Sequence, residues 1–123
     1  NRFVAQFIGF PPMNVLPCEI VRRPDGTEAA VLAGLPAPLA LPAHPGPGPA
    51  SAGIRPSDIE VLAAPGPGTV AAIVDAAEPL GRDTLLTLSI GGAEISVLAP
   101  AGTASEGGQV HLRFDGSRLH VFR

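Results

Sequence analysis

Lysine, tryptophan and tyrosine are absent from this 123-residue chain, and cysteine and methionine occur once each. The lack of lysine removes the phosphate-cradling loop Gly-x-x-x-x-Gly-Lys-(Ser/Thr), which needs an ammonium on the phosphates. The Gly/Pro runs Pro45–Pro49 and Pro65–Gly68 supply neither that charge nor a following helix. Proline also lacks the N–H that an anion nest requires, so both runs read as loops. Eight arginines stand against eleven acidic residues, a net charge of −3, whereas a nucleic-acid backbone calls for a clustered basic excess. Three of the five phenylalanines lie in the first ten residues, which leaves little for a base-stacking platform. Nucleic acid is therefore not an expected partner. Cys18 has no internal disulfide partner and reads as a small apolar side chain on a strand. No run approaches the roughly 18 apolar residues of a membrane span, and no signal-peptide pattern is present, so the chain is expected to be neither exported nor inserted.

What is present is a string of short alternating segments. Val15, Cys18, Ile20 and Val21 lead into Arg23-Pro24-Asp25-Gly26, a strong turn signal, and Ala29–Ala33 returns as a second strand. Leu35–Leu41 reads as a third strand at an edge or as an extended connection, because six prolines occupy Pro36 to Pro49. His44, inside that stretch, reads as solvated. Val70, Ala72 and Val74 share a face before Glu78–Gly81 turns the chain. Leu86, Leu88 and Ile90 then run to Gly91-Gly92, a two-residue hairpin signal, and Ile95, Val97 and Ala99 follow. Beyond a loop at Pro100–Gly108, Val110, Leu112 and Phe114 point one way. Asp115-Gly116 reads as a turn, with Leu119 and Val121 returning to the same side. Turns every eight to twelve residues describe one all-β domain, a small barrel or sandwich.

The opening differs from the rest. Asn1 suits an N-cap, Phe3, Val4, Phe7 and Ile8 recur at helical spacing, Gly9 suits a left-handed terminus and Pro11 forbids continuation. A helix of about two turns is not stable alone in water, so its apolar residues, with Phe10, are expected to pack on protein upstream of this sequence. On that reading the chain is a fragment.

Few residues carry chemistry. Asp58 with Glu60, and Asp75 with Glu78, are the nearest to paired carboxylates, but neither pair has a nucleophile or histidine at suggestive spacing. Three scattered histidines and one cysteine show no zinc-ligand spacing. If the last two strands form a hairpin, His111, Arg113, Arg118, His120 and Phe122 share its outward face, a cluster that reads either as a solvated face or as a surface for a small anion or acidic partner. Arg55, before Pro56, is expected in extended backbone, and either braces the barrel through a buried carboxylate or contacts another subunit. Gly81 reads as a turn residue with positive φ.

Four blocks carry a family resemblance. Phe7-Ile8-Gly9-Phe10-Pro11-Pro12-Met13-Asn14, Gly53-Ile54-Arg55-Pro56-Ser57-Asp58-Ile59, Glu78-Pro79-Leu80-Gly81-Arg82-Asp83-Thr84 and Phe114-Asp115-Gly116-Ser117-Arg118-Leu119-His120-Val121-Phe122 resemble, in order, the junction and C-terminal regulatory domain of ATP-binding subunits of sugar and glycerol-3-phosphate ABC importers. Gln6 and Phe10 depart from that family's usual Gly and Ser. The resemblance implies an OB-like (TOBE) barrel over residues 13–123, preceded at 1–12 by the remnant of a helix joining an ATPase domain, with Phe3, Phe7, Ile8 and Phe10 at the interface. It implies no catalysis and no cofactor in this fragment, ATP and Mg being bound by the parent subunit. A second copy of the domain is the implied partner across a two-fold axis, with permease subunits reached through the parent at the cytoplasmic side of the inner membrane. The resemblance places regulatory contacts near Gly81, and its Phe-Pro-Pro-Met-Asn wording favours glycerol-3-phosphate as cargo. The alternatives are a module that senses the solute or an oxyanion and inhibits transport, and a docking site for a cytoplasmic regulatory protein.

Overall fold

The structure, a computed structural model, describes residues 11–123. The expected N-terminal helix, with Phe3, Phe7, Ile8 and Phe10, lies outside the described residues.

Among the described residues, ten strands form two five-stranded antiparallel sheets. They are β1 (Asn14–Arg22), β2 (Glu28–Leu32), β3 (Leu39–Leu41), β4 (Gly48–Ile54), β5 (Glu60–Leu62), β6 (Val70–Pro79), β7 (Asp83–Ile90), β8 (Ala93–Pro100), β9 (Gln109–Arg113) and β10 (His120–Phe122). The first sheet runs β10-β4-β1-β2-β3 and the second β5-β9-β6-β7-β8. Two 3-10 turns, Pro56–Asp58 and Gly116–Arg118, connect them. The inner faces of both sheets contribute to one apolar cluster, in which Ile20, Ile54, Leu86, Leu88, Ile95 and Leu112 are essentially inaccessible. Two curled antiparallel sheets closed on one core are the all-β architecture that the alternation implies, in the OB-like form that the resemblance implies.

The turn chemistry acts where it is expected. Asp25 Oδ1 accepts from the Thr27 N–H and hydroxyl at 3.0 and 2.6 Å, Gly26 takes φ +88°, and β1 and β2 pair from Cys18↔Leu32 to Arg22↔Glu28. Gly91 and Gly92, both at positive φ, close the β7–β8 hairpin, whose register runs from Asp83↔Pro100 to Ile90↔Ala93. A Cβ on Gly91 would strike the Ala33 carbonyl and one on Gly34 the Gly91 backbone, so the turns of the two sheets touch through glycine. Asp75 stands at a bulge in β6, where the pairing passes from Val74↔Leu88 to Ala76↔Thr87.

Two expectations need correction. Pro45–Pro49 is not all loop: β4 begins at Gly48, and Pro49 lies opposite Glu19 in a strand that sits between β1 and β10. Gly-Pro-Ala-Ser-Ala-Gly-Ile has little strand propensity, and its small side chains are placed by their neighbours, with Ala52 and Ile54 fully buried. Within β1, Asn14, Leu16, Cys18 and Ile20 face inward, whereas Val15 is 60% exposed. The last two strands are not a hairpin. β9 pairs with β5 and β6, and β10 with β4, so the chain crosses between sheets through the second 3-10 turn. Leu35–Leu41 contributes the three residues of β3, at the edge of its sheet. Cys18 is buried and unpaired, and burial pushes its thiol pKa up.

Candidate functional site

The crossing at the second 3-10 turn decides which polar groups meet. Asp115 caps it: Oδ1 accepts from the Ser117 N–H at 2.9 Å and from its hydroxyl at 2.7 Å, and these bonds hold the exposed carboxyl below its usual range. Gly116 is buried against β3, close enough that a Cβ there would collide with the Ala40 carbonyl oxygen. The first 3-10 turn starts at Pro56, whose ring suits the first helical position, after Arg55 in extended backbone at φ −73°, ψ 144°.

Together these turns bring two arginines to two carboxylates. Arg113 Nη1 donates to Glu60 Oε1 at 3.0 Å, and its Nε donates to the Pro67 carbonyl at 3.2 Å. Arg118 Nη1 lies 3.8 Å from Asp58 Oδ1. Both pairs border an open groove between β3, β5 and the two 3-10 turns. Exposed pairs of this kind contribute about 0–1 kcal/mol each, so they set the character of the surface more than the stability of the fold.

His111, Arg113, Arg118 and His120 therefore do not form one face. His111 lies on β9 opposite Ala71 and Leu62, in the second sheet, while His120 lies on β10 opposite Gly53, in the first. The expectation assumed a hairpin; the crossover separates the histidines and gives each arginine a carboxylate. Arg55 is exposed and makes no ion pair among the described residues, so it does not brace the barrel through a buried carboxylate. Gly81 takes φ +95° with open space around it. Asp75 accepts a long 3.4 Å hydrogen bond from Ser89, and the described residues hold no group of three or more His, Cys, Asp or Glu placed for a metal ion.

Two buried polar side chains, Asn14 and Glu28, tie elements together away from this groove. Asn14 Nδ2 donates to the Ser96 and Ile54 carbonyls at 2.8 and 3.2 Å, and its Oδ1 accepts from the Ser96 N–H at 2.8 Å. The side chain thus pairs with β8 as a strand backbone would, tying the two sheets together. Glu28 is inaccessible. Its Oε1 accepts from the Gly46 N–H at 2.8 Å, and its Oε2 accepts from Arg22 Nη2 and Nε at 2.9 and 3.2 Å. The Gly46 bond first, and Arg22 second, hold its carboxyl below the usual range. Arg123 grips the same proline loop through the Pro45 and Gly46 carbonyls. The available signal was phase: Asn14 is in step with Leu16, Cys18 and Ile20, and an inward polar side chain must find partners.

The TOBE domain family matches residues 52–122, more than half of the chain. The sn-glycerol-3-phosphate import ATP-binding protein UgpC of Chromohalobacter salexigens is 35% identical over 99% of this chain and 33% of its own length. The protein of the same name from a Jannaschia species is 36% identical over 99% of this chain and 33% of its own. The alpha-glucoside transport ATP-binding protein AglK of Rhizobium meliloti is 33% identical, over 99% and 35% respectively. The chain spans about a third of the length of these relatives. A crystal structure of the cytoplasmic molybdate-binding protein ModG superposes with a TM-score of 0.67, covering 89% of this chain and 94% of that one; at 13% identity the likeness is one of fold. Sequence blocks, architecture and relatives agree: the chain belongs to the TOBE domain family, in the form found in ATP-binding subunits of ABC importers.

Proposed function

We propose that this chain is the regulatory and dimerisation domain of the ATP-binding subunit of an importer for glycerol-3-phosphate or a sugar. The observation that carries the reading is the alignment itself: import ATP-binding proteins match 99% of this sequence with about a third of their own length. ATP and Mg binding, and hydrolysis, are then assigned to an ATPase domain in the rest of the parent subunit. Residues 1–12 join that domain to the barrel at 13–123, and Phe3, Phe7, Ile8 and Phe10 pack against it.

In this arrangement the domain supplies a rigid body, and two copies meet across a two-fold axis. A symmetric contact that stays closed holds two ATPase domains together while their nucleotide sites open and close. Arg55, exposed and without a carboxylate partner among the described residues, is free to serve such a contact, and Gly81 shapes the β6–β7 turn, near which the resemblance places regulatory contacts. The parent would lie at the cytoplasmic side of the inner membrane, bound to permease subunits.

The test is a chimera in which this chain replaces the matching third of the Chromohalobacter subunit. Dimers in sedimentation and uptake of sn-glycerol-3-phosphate with the cognate permease are the expected results. A chimera whose grafted domain melts cooperatively, yet which is monomeric and inactive in uptake, would refute the proposal.

A further inference from the structure

The groove that the two arginine–carboxylate pairs border has a volume of about 610 Å3, and a narrower slot of about 220 Å3 opens beside it. The two cavities share Pro38, Leu39, Arg113 and Phe114, so a polar floor and an apolar slot form one continuous surface. Three carboxylates, Asp58, Glu60 and Asp115, face two guanidinium groups, Arg113 and Arg118. The balance is negative, which disfavours a phosphate or other oxyanion.

The carboxylates differ in what they already hold. Asp115 is engaged with Ser117, and Glu60 with Arg113. The Asp58 carboxylate accepts no hydrogen bond among the described residues, although its side chain is only 22% exposed. Its nearest cation, Arg118, stands at 3.8 Å on a side chain that is 62% exposed and free to swing into water. An ionised carboxylate only accepts, so its complement must be a donor, and a cationic donor is the strongest. The apolar slot that adjoins the groove is walled by Leu35, Pro36, Pro38, Leu39 and Phe114.

We propose that this groove binds an organic ammonium ion with a short apolar body, the ammonium on Asp58 and the body in the slot. Glu60, partly neutralised by Arg113, adds to the attraction without competing for the same donors. Binding displaces Arg118 toward solvent, so that pair acts as a competitor for the site. The proposal is independent of the importer assignment, because it requires neither a second copy nor an ATPase domain.

The test is an NMR titration of the 123-residue chain with phenethylammonium chloride, matched at constant ionic strength against sodium 3-phenylpropionate, which has a similar body and the opposite charge. Saturable shifts of the Asp58, Glu60 and Gly116 amides with the cation, and none with the anion, are expected. Asp58→Asn should weaken binding about tenfold or more by removing the charge-assisted bond. Arg118→Ala should tighten it, since it removes the competitor by truncating a side chain that is itself 62% exposed. No saturable shift in the cation titration, an equal response to phenylpropionate, unchanged affinity in Asp58→Asn, or weaker binding in Arg118→Ala would each overturn the proposal.

Discussion

Asn14→Ala should cost the fold more than its single truncated side chain suggests. The amide makes three hydrogen bonds, at 2.8, 2.8 and 3.2 Å, and two of them satisfy the N–H and C=O of Ser96 on β8, the terminal strand of its sheet. Removing it leaves both Ser96 groups without their partner on a partly buried edge, and frees the two sheets from their side-chain tie. A typical hydrogen bond contributes about 1 kcal/mol net, and a buried group left unpaired costs about 1–3 kcal/mol. The loss is therefore about 2–4 kcal/mol, a large share of the roughly 5–15 kcal/mol of an ordinary domain. Urea unfolding should show a lower midpoint at an unchanged slope, and Ser96 should exchange its amide proton faster. A loss below about 0.5 kcal/mol, the scale of an ordinary surface change, would refute the bridge.

Asn14→Asp separates shape from chemistry. The aspartate still accepts from the Ser96 N–H, but its second oxygen faces the Ser96 and Ile54 carbonyls, to which Asn14 donates. Only the protonated acid can donate there, so its folded-state pKa rises above the unfolded value of about 3.9. Its penalty relative to Asn14 should be smallest below about pH 4 and should grow as the pH rises through the raised folded value. A penalty independent of pH would show that the side chain fills space without pairing.

Much of this architecture is legible in the sequence, and the exceptions have physical causes. The second sheet's long strands read correctly because Leu86, Leu88 and Ile90, and Ile95, Val97 and Ala99, alternate cleanly between glycine turns, so local preference and burial agree. β4 carries no pattern of its own at Ala52 and Gly53; it is a central strand because it pairs with β1 on one side and β10 on the other, with Ala52 buried in the core and the Gly53 α-carbon close against the Met13 and Phe122 side chains. The supposed final hairpin failed for a related reason. Asp115-Gly116 does turn the chain, but through a capped 3-10 turn whose glycine must slide under Ala40, which directs the following strand to the other sheet. The charged groove was invisible for the same cause: Asp58 and Glu60 lie more than fifty positions from Arg113 and Arg118, and only the crossover brings them together.

Two further perturbations probe the loops that close the barrel. Because Glu28 is held below the usual carboxylate range, it contributes stability fully above its unfolded pKa of about 4.3, and that contribution is lost as the pH falls through the depressed folded value. Glu28→Gln should therefore flatten the acid limb of a plot of urea midpoint against pH. The limb should not vanish, because hydrogen bonds from Thr27 and Ser117 also lower the exposed Asp25 and Asp115. An unchanged acid limb would contradict the assignment. Gly116→Ala tests the crossover itself. Its Cβ would meet the Ala40 carbonyl oxygen, with the Ala40 nitrogen 3.2 Å away, and backbone cannot rotate aside as a side chain can. Relief requires the turn to lift off β3, so the cost should reach or exceed the roughly 1–3 kcal/mol of an overpacked core. Gly92→Ala is the control, since φ +84° strains an alanine by about 1–2 kcal/mol while its Cβ would point into open space. A melting temperature for Gly116→Ala no lower than that of Gly92→Ala would mean that β3 yields freely, and the turn would no longer explain why β10 joins the first sheet.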